Sequence, residues 1–133
     1  GRRADLKPLH SMLIDEELSG ASSDRDSILT VGVFDGVHLG HRHLIAHLTK
    51  EAAAAGCRPG VVTFRNHPAS VLRDDFKPQY LTSFDERSSM LQALGADPVV
   101  PVTFDLELSK QSARDFVLRL QTHLRMVGLV FWM

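Results

Sequence analysis

The stretch ILTVGVFDGVHLGH, residues 28–41, decides the fold of this chain. Its first half, Ile28 to Phe34, is a short run of β-branched and apolar residues closed by Asp35-Gly36, which is typical of a buried strand ending in a tight turn. Its second half leads into a predicted helix from His41 to Ala55, whose apolar residues recur at helical spacing until Gly56. The sequence therefore predicts a strand, a glycine-bearing turn and a helix in direct succession.

The same alternation of strand and helix repeats along the rest of the chain. We predict further strands over 60–64, 99–104 and 127–131, and helices that begin after Thr82 or Ser83 and after Ser109 or Ser112. Strands that alternate with helices pair in parallel through right-handed crossovers, so the predicted fold is α/β, a doubly wound parallel sheet. Ligands of such sheets bind beyond the C-terminal ends of the strands.

Length and composition indicate one globular domain with small-molecule ligands. The chain has 133 residues, of which 44% are hydrophobic and 23% charged. A net charge of -1 provides no field for a nucleic acid or an anionic membrane, and no apolar run reaches the ~20 residues that span a bilayer. Cys57 is the single cysteine, which favours a cytoplasmic location. We expect an N-terminal extension and loop over 1–27 and one domain over 28–133.

The turn ahead of the first helix has the features of a phosphate site. Backbone N–H groups at a helix N-terminus are unpaired and lie at the positive end of the helix dipole. Gly36 and Gly40 permit left-handed or closely approached backbone there. His38 and His41 are three residues apart, so both rings can point at one phosphate and stabilise its growing negative charge. The alternative is a pair of polar turn residues that cap a helix.

Four blocks of sequence carry a resemblance to a known family. The H-x-G-H turn after Phe-Asp-Gly resembles the signature of the nucleotidylyl transferase superfamily. The first block, 31–41, resembles more narrowly the FMN adenylyltransferase (FAD synthetase) module of bacterial bifunctional riboflavin kinase/FAD synthetases when it is taken with three later blocks. These are 62–68, 81–87 with Leu94-Gly95, and 104–108 with 112–117. The resemblance implies adenylyl transfer from ATP to FMN, with FAD and pyrophosphate as products and Mg²⁺ accompanying ATP.

The resemblance also implies roles for individual residues. It implies that the reacting phosphates are stabilised by His38 and His41. It also implies a nucleotide site lined by Gly32, Phe34 and Gly40. The flavin site is formed by Asn66, His67 and Pro68, with Leu72 and Phe104 as further candidates. Without the resemblance, His67-Pro68 would be interpreted as a strand exit.

No resident metal site is predicted. His43 and His47 are spaced i, i+4 on the first helix, but we expect neither a carboxylate nor a cysteine to join them. Asp35 is expected to bind within its own turn, a habit of Asp before Gly.

The end of the chain departs from the family pattern. Family members continue past the fourth strand into a flavin loop, an arginine-bearing Ser/Thr-rich motif and a riboflavin kinase domain, whereas this chain ends at Phe131-Trp132-Met133. We therefore expect a sheet that is incomplete at its C-terminus. Two alternatives to an active FAD synthetase stay open. One is a non-catalytic flavin- or nucleotide-binding remnant, held as a homodimer through the C-terminal edge. The other is a transferase for another phosphate-bearing substrate, against which the Asn66-His67-Pro68 block argues.

Overall fold

Four parallel strands form one sheet in the order β3-β2-β1-β4. The computed structural model describes residues 11–36, 39–73, 80 and 82–131. The strands are β1 (Ser27–Gly32), β2 (Arg58–Phe64), β3 (Val99–Val102) and β4 (Met126–Leu129). The helices are α1 (Leu13–Ser19), α2 (Leu39–Ala55), α3 (Ala69–Leu72), α4 (Phe84–Ala93), α5 (Leu106–Ser109) and α6 (Ala113–Leu124). The predicted α/β fold with a parallel sheet is confirmed.

Helices cover both faces of the sheet, and each face has its own core. On one face α2 and α4 pack their apolar stripes against Phe34 and Val61. On the other face α1 and α6 pack against Leu29 and Val62. Burial on both sides explains why β1 and β2 have apolar residues at consecutive positions, Ile28-Leu29 and Val61-Val62, instead of a strict alternation with polar ones. Among the helices in the described ranges, none is both long and apolar enough to cross a membrane.

Several predicted element boundaries are confirmed by their capping groups. The Ser83 hydroxyl accepts a hydrogen bond from the Glu86 amide at 3.1 Å and opens α4. The Ser112 hydroxyl accepts one from the Asp115 amide at 3.1 Å and opens α6. Gly56 has a φ of 69° directly after α2, as a C-terminal glycine should.

Three of the four predicted strands extend too far at their C-terminal ends, whereas β2 ends at Phe64 as predicted. β1 stops at Gly32 because Phe34 turns to a φ of 60°, which extended backbone cannot contain. β3 stops at Val102 because the next two amides bond to side chains: the Thr103 amide to Glu17 and the Phe104 amide to Asn66, each at 2.9 Å.

The N-terminal helix α1 is held on the domain by two acidic residues. Glu17 accepts hydrogen bonds from the Thr103 amide and hydroxyl, both at 2.9 Å. Asp15 pairs with Arg119, a side chain only 2% exposed, and lies 2.9 Å from Nε2 of His123. Burial alone would raise the pKa of Asp15, but hydrogen bonds from Arg119, the Met12 amide and His123 hold it below its ordinary value of 3.8.

Because Ile14 and Leu18 are also buried, α1 belongs to the core of the fold. The sequence did not show this docking, since its partners lie about a hundred residues away along the chain. The division at residue 27 into an extension and a domain stays a prediction.

Candidate functional site

The loops after β1, β2 and β3 open on one edge of the sheet. Gly32, the last residue of β1, pairs with Thr63, and Phe64, the last residue of β2, pairs with Val102 of β3. β4 lies on the other side of β1, so the direction of strand addition reverses there. Ligands of open α/β sheets bind at such a reversal, outside the C-terminal strand ends.

Phe34 organises the turn after β1. Its backbone has a φ of 60°, a conformation that a bulky side chain rarely adopts, and its ring is 95% buried against the α2 face of the core. A Cβ atom at Gly32 would lie only 3.0 Å from Cε2 of this ring. Strained backbone of this kind concentrates at binding sites, where the surrounding structure holds it in place. The glycine and the phenylalanine predicted at the nucleotide site are therefore in mutual contact.

His41 is brought to the same turn by helix α2. Its ring meets the Phe34 ring edge to face, with 5.1 Å between the centroids and 73° between the planes. Gly40 lies in the first turn of α2, and Gly36 ahead of the helix has the predicted left-handed φ, 79°. The first turn of α2 contains no acidic residue, so the helix dipole there is left for an external anion. His38 lies outside the described residues.

Asp35 ties the turn to a distant segment. Its Oδ1 accepts hydrogen bonds from the Thr82 amide at 3.0 Å and the Thr82 hydroxyl at 2.9 Å. The Gly36 amide donates to the same hydroxyl at 3.3 Å. Asp35 thus has a structural role with a partner 47 residues away, and its bonding within its own turn stays a prediction.

Asn66 and Phe104, both predicted at the flavin site, are bonded to each other. The Asn66 amide nitrogen donates to the Phe104 carbonyl at 2.8 Å, and its oxygen accepts from the Phe104 amide at 2.9 Å. The side chain of Asn66 thus joins the loop after β2 to the loop after β3. Its polar atoms are committed to shaping these loops.

An apolar cleft of about 240 Å³ lies beside this pair. The Phe104 ring meets the Phe64 ring edge to face at 5.7 Å, and Phe116 of α6 stacks on Phe64 at 6.3 Å. The cleft is lined by Phe64, Phe104, Leu108, Ser109, Gln111, Ser112, Ala113 and Phe116. The volume is below the ~300 Å³ of pockets that enclose a whole drug-sized ligand, so the cleft can enclose only part of such a ligand.

The other flavin candidates lie outside the cleft wall. The His67 amide donates to the Tyr80 hydroxyl at 2.8 Å, and Pro68 precedes the short helix α3. Leu72 ends α3 with 60% of its surface exposed. The sequence predicted Phe104 at the flavin site but did not predict Phe64 and Phe116 there. The positions of these two residues in a predicted strand and on the apolar stripe of a predicted helix indicated core residues.

Sequence reasoning also missed Arg87, a buried arginine at this edge. Its Nη1 donates to the carbonyls of Val33 at 3.0 Å and Phe64 at 2.8 Å, so it joins the ends of β1 and β2. One signal was available: Arg87 stands four residues before Leu91, on the apolar stripe of α4.

A carboxylate lies beside His47, and the prediction that the His43 and His47 pair forms no metal site stays a prediction. The His47 Nε2 lies 3.8 Å from Glu51, one turn further along α2, because i and i+4 residues share a helix face. Within the described ranges, no three His, Cys, Asp or Glu side chains are grouped so that they could hold a metal ion.

The fold and the turn define an α/β domain of the nucleotidylyl transferase type. Residues 20–131 match the family model for FAD synthetase. The chain belongs to the FAD synthetase family. A solved structure described as a macrolide-efflux protein from Streptococcus pneumoniae shares the fold, with a TM-score of 0.74 and 23% identity over 83% of this chain and 43% of that one.

Curated relatives give the same family. The bifunctional riboflavin kinase/FMN adenylyltransferase of Listeria monocytogenes is 34% identical over 96 residues, 71% of this chain and 31% of that protein. The protein of the same name from Escherichia coli K12 is 35% identical over 90 residues, 68% of this chain and 29% of that protein. The chain thus spans about a third of the length of these relatives.

Proposed function

We propose that this chain transfers the adenylyl group of ATP to FMN, giving FAD and pyrophosphate. An oxygen of the FMN phosphate bonds to the α-phosphorus of ATP, and the bond from that phosphorus to the oxygen bridging to the β-phosphate breaks. Pyrophosphate leaves with the electron pair of the broken bond. The reaction forms no covalent intermediate with the protein, so positioning and charge stabilisation are what the side chains must provide.

The observation that carries the proposal is the placement of two loops on one edge of the sheet. The turn after β1 holds His41 and Phe34, and the loop after β2 holds Asn66 and His67 beside the apolar cleft. β1 and β2 are neighbouring strands, so a phosphate at the first loop and a ring at the second belong to sites that adjoin. Joining a nucleotide to a flavin phosphate requires two such sites.

The nucleotide side is assigned to Gly32, Phe34, Gly40 and the two histidines. His41 stands in the first turn of α2, where its ring and the helix amides can both stabilise a phosphate oxygen. Gly32 and Phe34 shape the backbone under the ligand through their mutual contact. His38 has the partner role in the H-x-G-H turn.

The flavin side is assigned to the apolar cleft and the loop over 66–68. Phe104 offers a ring face or edge for the isoalloxazine, and Asn66 fixes the carbonyl and amide of that same residue. His67 and Pro68 follow at the loop tip, and the exposed Leu72 stands at the rim. Asn66 is therefore a positioning residue in this assignment.

Mg²⁺ is proposed to enter with the triphosphate. The described residues provide no group of three ligands, so the phosphate oxygens and water would hold most of its coordination sphere. When bound, the ion neutralises charge on the triphosphate.

The test is FAD formation by the chain with FMN, ATP and Mg²⁺, followed by chromatography. His41→Ala should lower the rate about a hundredfold, since it removes a donor aimed at developing charge. His43→Ala is the matched control, because His43 is an exposed histidine on the same helix, and it should leave the rate unchanged. Absence of FAD with FMN binding intact would refute the enzymatic activity, and equal rates for His41→Ala and His43→Ala would refute the role of His41.

We further propose a cytoplasmic location, which the single cysteine of the chain supports.

We also propose that two copies associate through β4. β4 is an edge strand of the sheet, and Val127 and Phe131 beside that edge are 62% and 68% exposed. Exposed edges with apolar side chains favour pairing with another strand. Light scattering should give twice the mass of the chain, and a monomer at high concentration would exclude the association.

A further inference from the structure

Arg87 carries a positive charge that no carboxylate in the described ranges neutralises. Its side chain is 1% exposed, and its hydrogen bonds go to the carbonyls of Val33 and Phe64. Burial of an arginine is costly, and its Nε has no hydrogen-bond partner among the described residues, so the two bonds from Nη1 are the ones that offset this cost. They fix the backbone at the start of the turn after β1 and at the end of β2.

Aromatic rings hold the guanidinium in its place. Its carbon lies 5.2 Å from the centroid of the Phe84 ring and 5.8 Å from that of Tyr80. Cation–π contacts at these distances favour the charge within an otherwise apolar setting. The position of Arg87 is thus determined by α4 and the residues just ahead of it.

Thr82 and Tyr80, which precede Arg87 in the chain, bind the turn after β1 and the loop after β2. Thr82 bonds to Asp35 and Gly36 of the turn after β1. The Tyr80 hydroxyl accepts from the His67 amide in the loop after β2, at 2.8 Å. Tyr80, Thr82 and Arg87, which we call the brace, therefore hold both loops from one short segment.

We propose that the brace sets the relative position of the nucleotide and flavin loops, with Arg87 as a positioning residue for both ligands. This inference rests on the proposed function, since it assigns ATP to the first loop and FMN to the second. Each arm has its own ligand: Thr82 supports the ATP loop, Tyr80 supports the FMN loop, and Arg87 supports the two together.

The arms can be separated by single substitutions in the full chain. Thr82→Val removes the hydroxyl and should raise the Kd of ATP about fivefold, as expected for a lost hydrogen bond, without changing that of FMN. Tyr80→Phe should raise the Kd of FMN and spare that of ATP. Arg87→Met should raise both by about tenfold or more, and Arg87→Lys should restore part of each because an ammonium can still donate to carbonyls.

Arg119→Met is the matched control. Arg119 is equally buried but pairs with Asp15 of α1, so its loss should lower stability through a contact that lies outside the turn after β1 and the loop after β2. Unchanged Kd values in Arg119→Met beside raised values in Arg87→Met support the proposal. Equal changes in these two variants, or no arm-specific effect of Thr82→Val and Tyr80→Phe, would overturn it.

Amide hydrogen exchange tests the brace without any ligand. The Gly36 and His67 amides, which bond to Thr82 and Tyr80, should exchange faster in Arg87→Met than in Arg119→Met under conditions of equal global stability. Equal exchange would refute the brace. If the unsubstituted chain binds neither ATP nor FMN, the proposed function fails while this measurement still decides the structural claim.

Discussion

Phe34 sets the geometry of the proposed nucleotide site at the scale of single residues. Its left-handed backbone and buried ring place the ring beside Gly32 and in T-shaped contact with the His41 ring. A glycine at residue 32 leaves room for the ring, and the ring in turn orients the histidine. The conformation of one residue thus fixes where the chemistry of the turn is directed.

Gly32→Ala tests this arrangement directly. The new methyl group would stand 3.0 Å from Cε2 of Phe34, so the ring must shift. We expect a loss of about 1 kcal/mol in the free energy of unfolding and a weaker affinity for ATP. Urea unfolding and calorimetric titration with ATP measure the two effects.

Gly20→Ala is the control for this substitution. A Cβ atom at Gly20 meets only the Glu17 carbonyl oxygen, at an ordinary 3.7 Å, in a helical backbone conformation. Stability and ATP affinity should be retained. An ATP affinity of Gly32→Ala equal to that of Gly20→Ala would show that the Phe34 ring does not shape the site.

Residue identity was enough to predict the turn but not its supports. Glycine and histidine between a strand and a helix indicate a phosphate site because their local conformations and donors suit one. Arg87 and Thr82 act through contacts with residues some 50 positions away. Arginine is usually exposed, so the residue type alone predicts a surface position for Arg87. Pairing across that separation depends on the folded sheet, so local sequence patterns do not contain it.

Helix α1 shows at the element scale how a short segment can be held by charge. Seven residues are too few for an independent helix, so its order depends on Ile14, Leu18 and the acidic side chains that face the domain. Asp15 bonds to its own helix start at the Met12 amide, 2.7 Å away, and to Arg119 and His123 of α6. The same carboxylate therefore caps α1 and docks it.

Asp15→Asn should lower the free energy of unfolding by about 3 kcal/mol, because it leaves the buried Arg119 without its counter-charge. Glu16→Gln, an exposed neighbour in the same helix, should cost little. Urea unfolding at neutral pH gives both values. Similar stability of the two variants would mean that the Asp15–Arg119 pair does not hold α1.

The pH dependence of stability follows from the same carboxylate. Its pKa in the folded protein lies below 3.8, so the unfolded chain binds the proton more readily. The stabilisation is complete above the unfolded value and is lost as the pH falls through the lower folded value. Asp15→Asn should flatten this acid limb, and an unchanged limb would assign the acid sensitivity to other groups.

Caps and periodicity predicted the main elements well because their causes are local. Ser83, Ser112 and Gly56 satisfy or end a helix with groups within three or four residues. The single-turn helices α3 and α5 and the docking of α1 were missed, since four residues carry no measurable period and docking is a tertiary contact.

The parallel strand order brings the candidate site together at the scale of the whole molecule. Placing β2 and β4 on either side of β1 puts the turn after β1 at the centre of the C-terminal edge, next to the loop after β2. Family membership and this placement both favour chemistry that joins a nucleotide to a flavin. The candidate site draws side chains from helices α2 to α6 and from the loops after β1, β2 and β3, so most of the fold takes part in it.

The most direct measurement uses ATP that is labelled at either the α- or the γ-phosphate. The ATP is incubated with FMN and Mg²⁺, and the product that carries the label is identified. Adenylyl transfer predicts that the α-label appears in FAD and the γ-label in pyrophosphate, with neither product formed by His41→Ala above a hundredth or so of the unsubstituted rate. Transfer of the γ-label to a flavin, or α-label that appears only in AMP, would contradict the account.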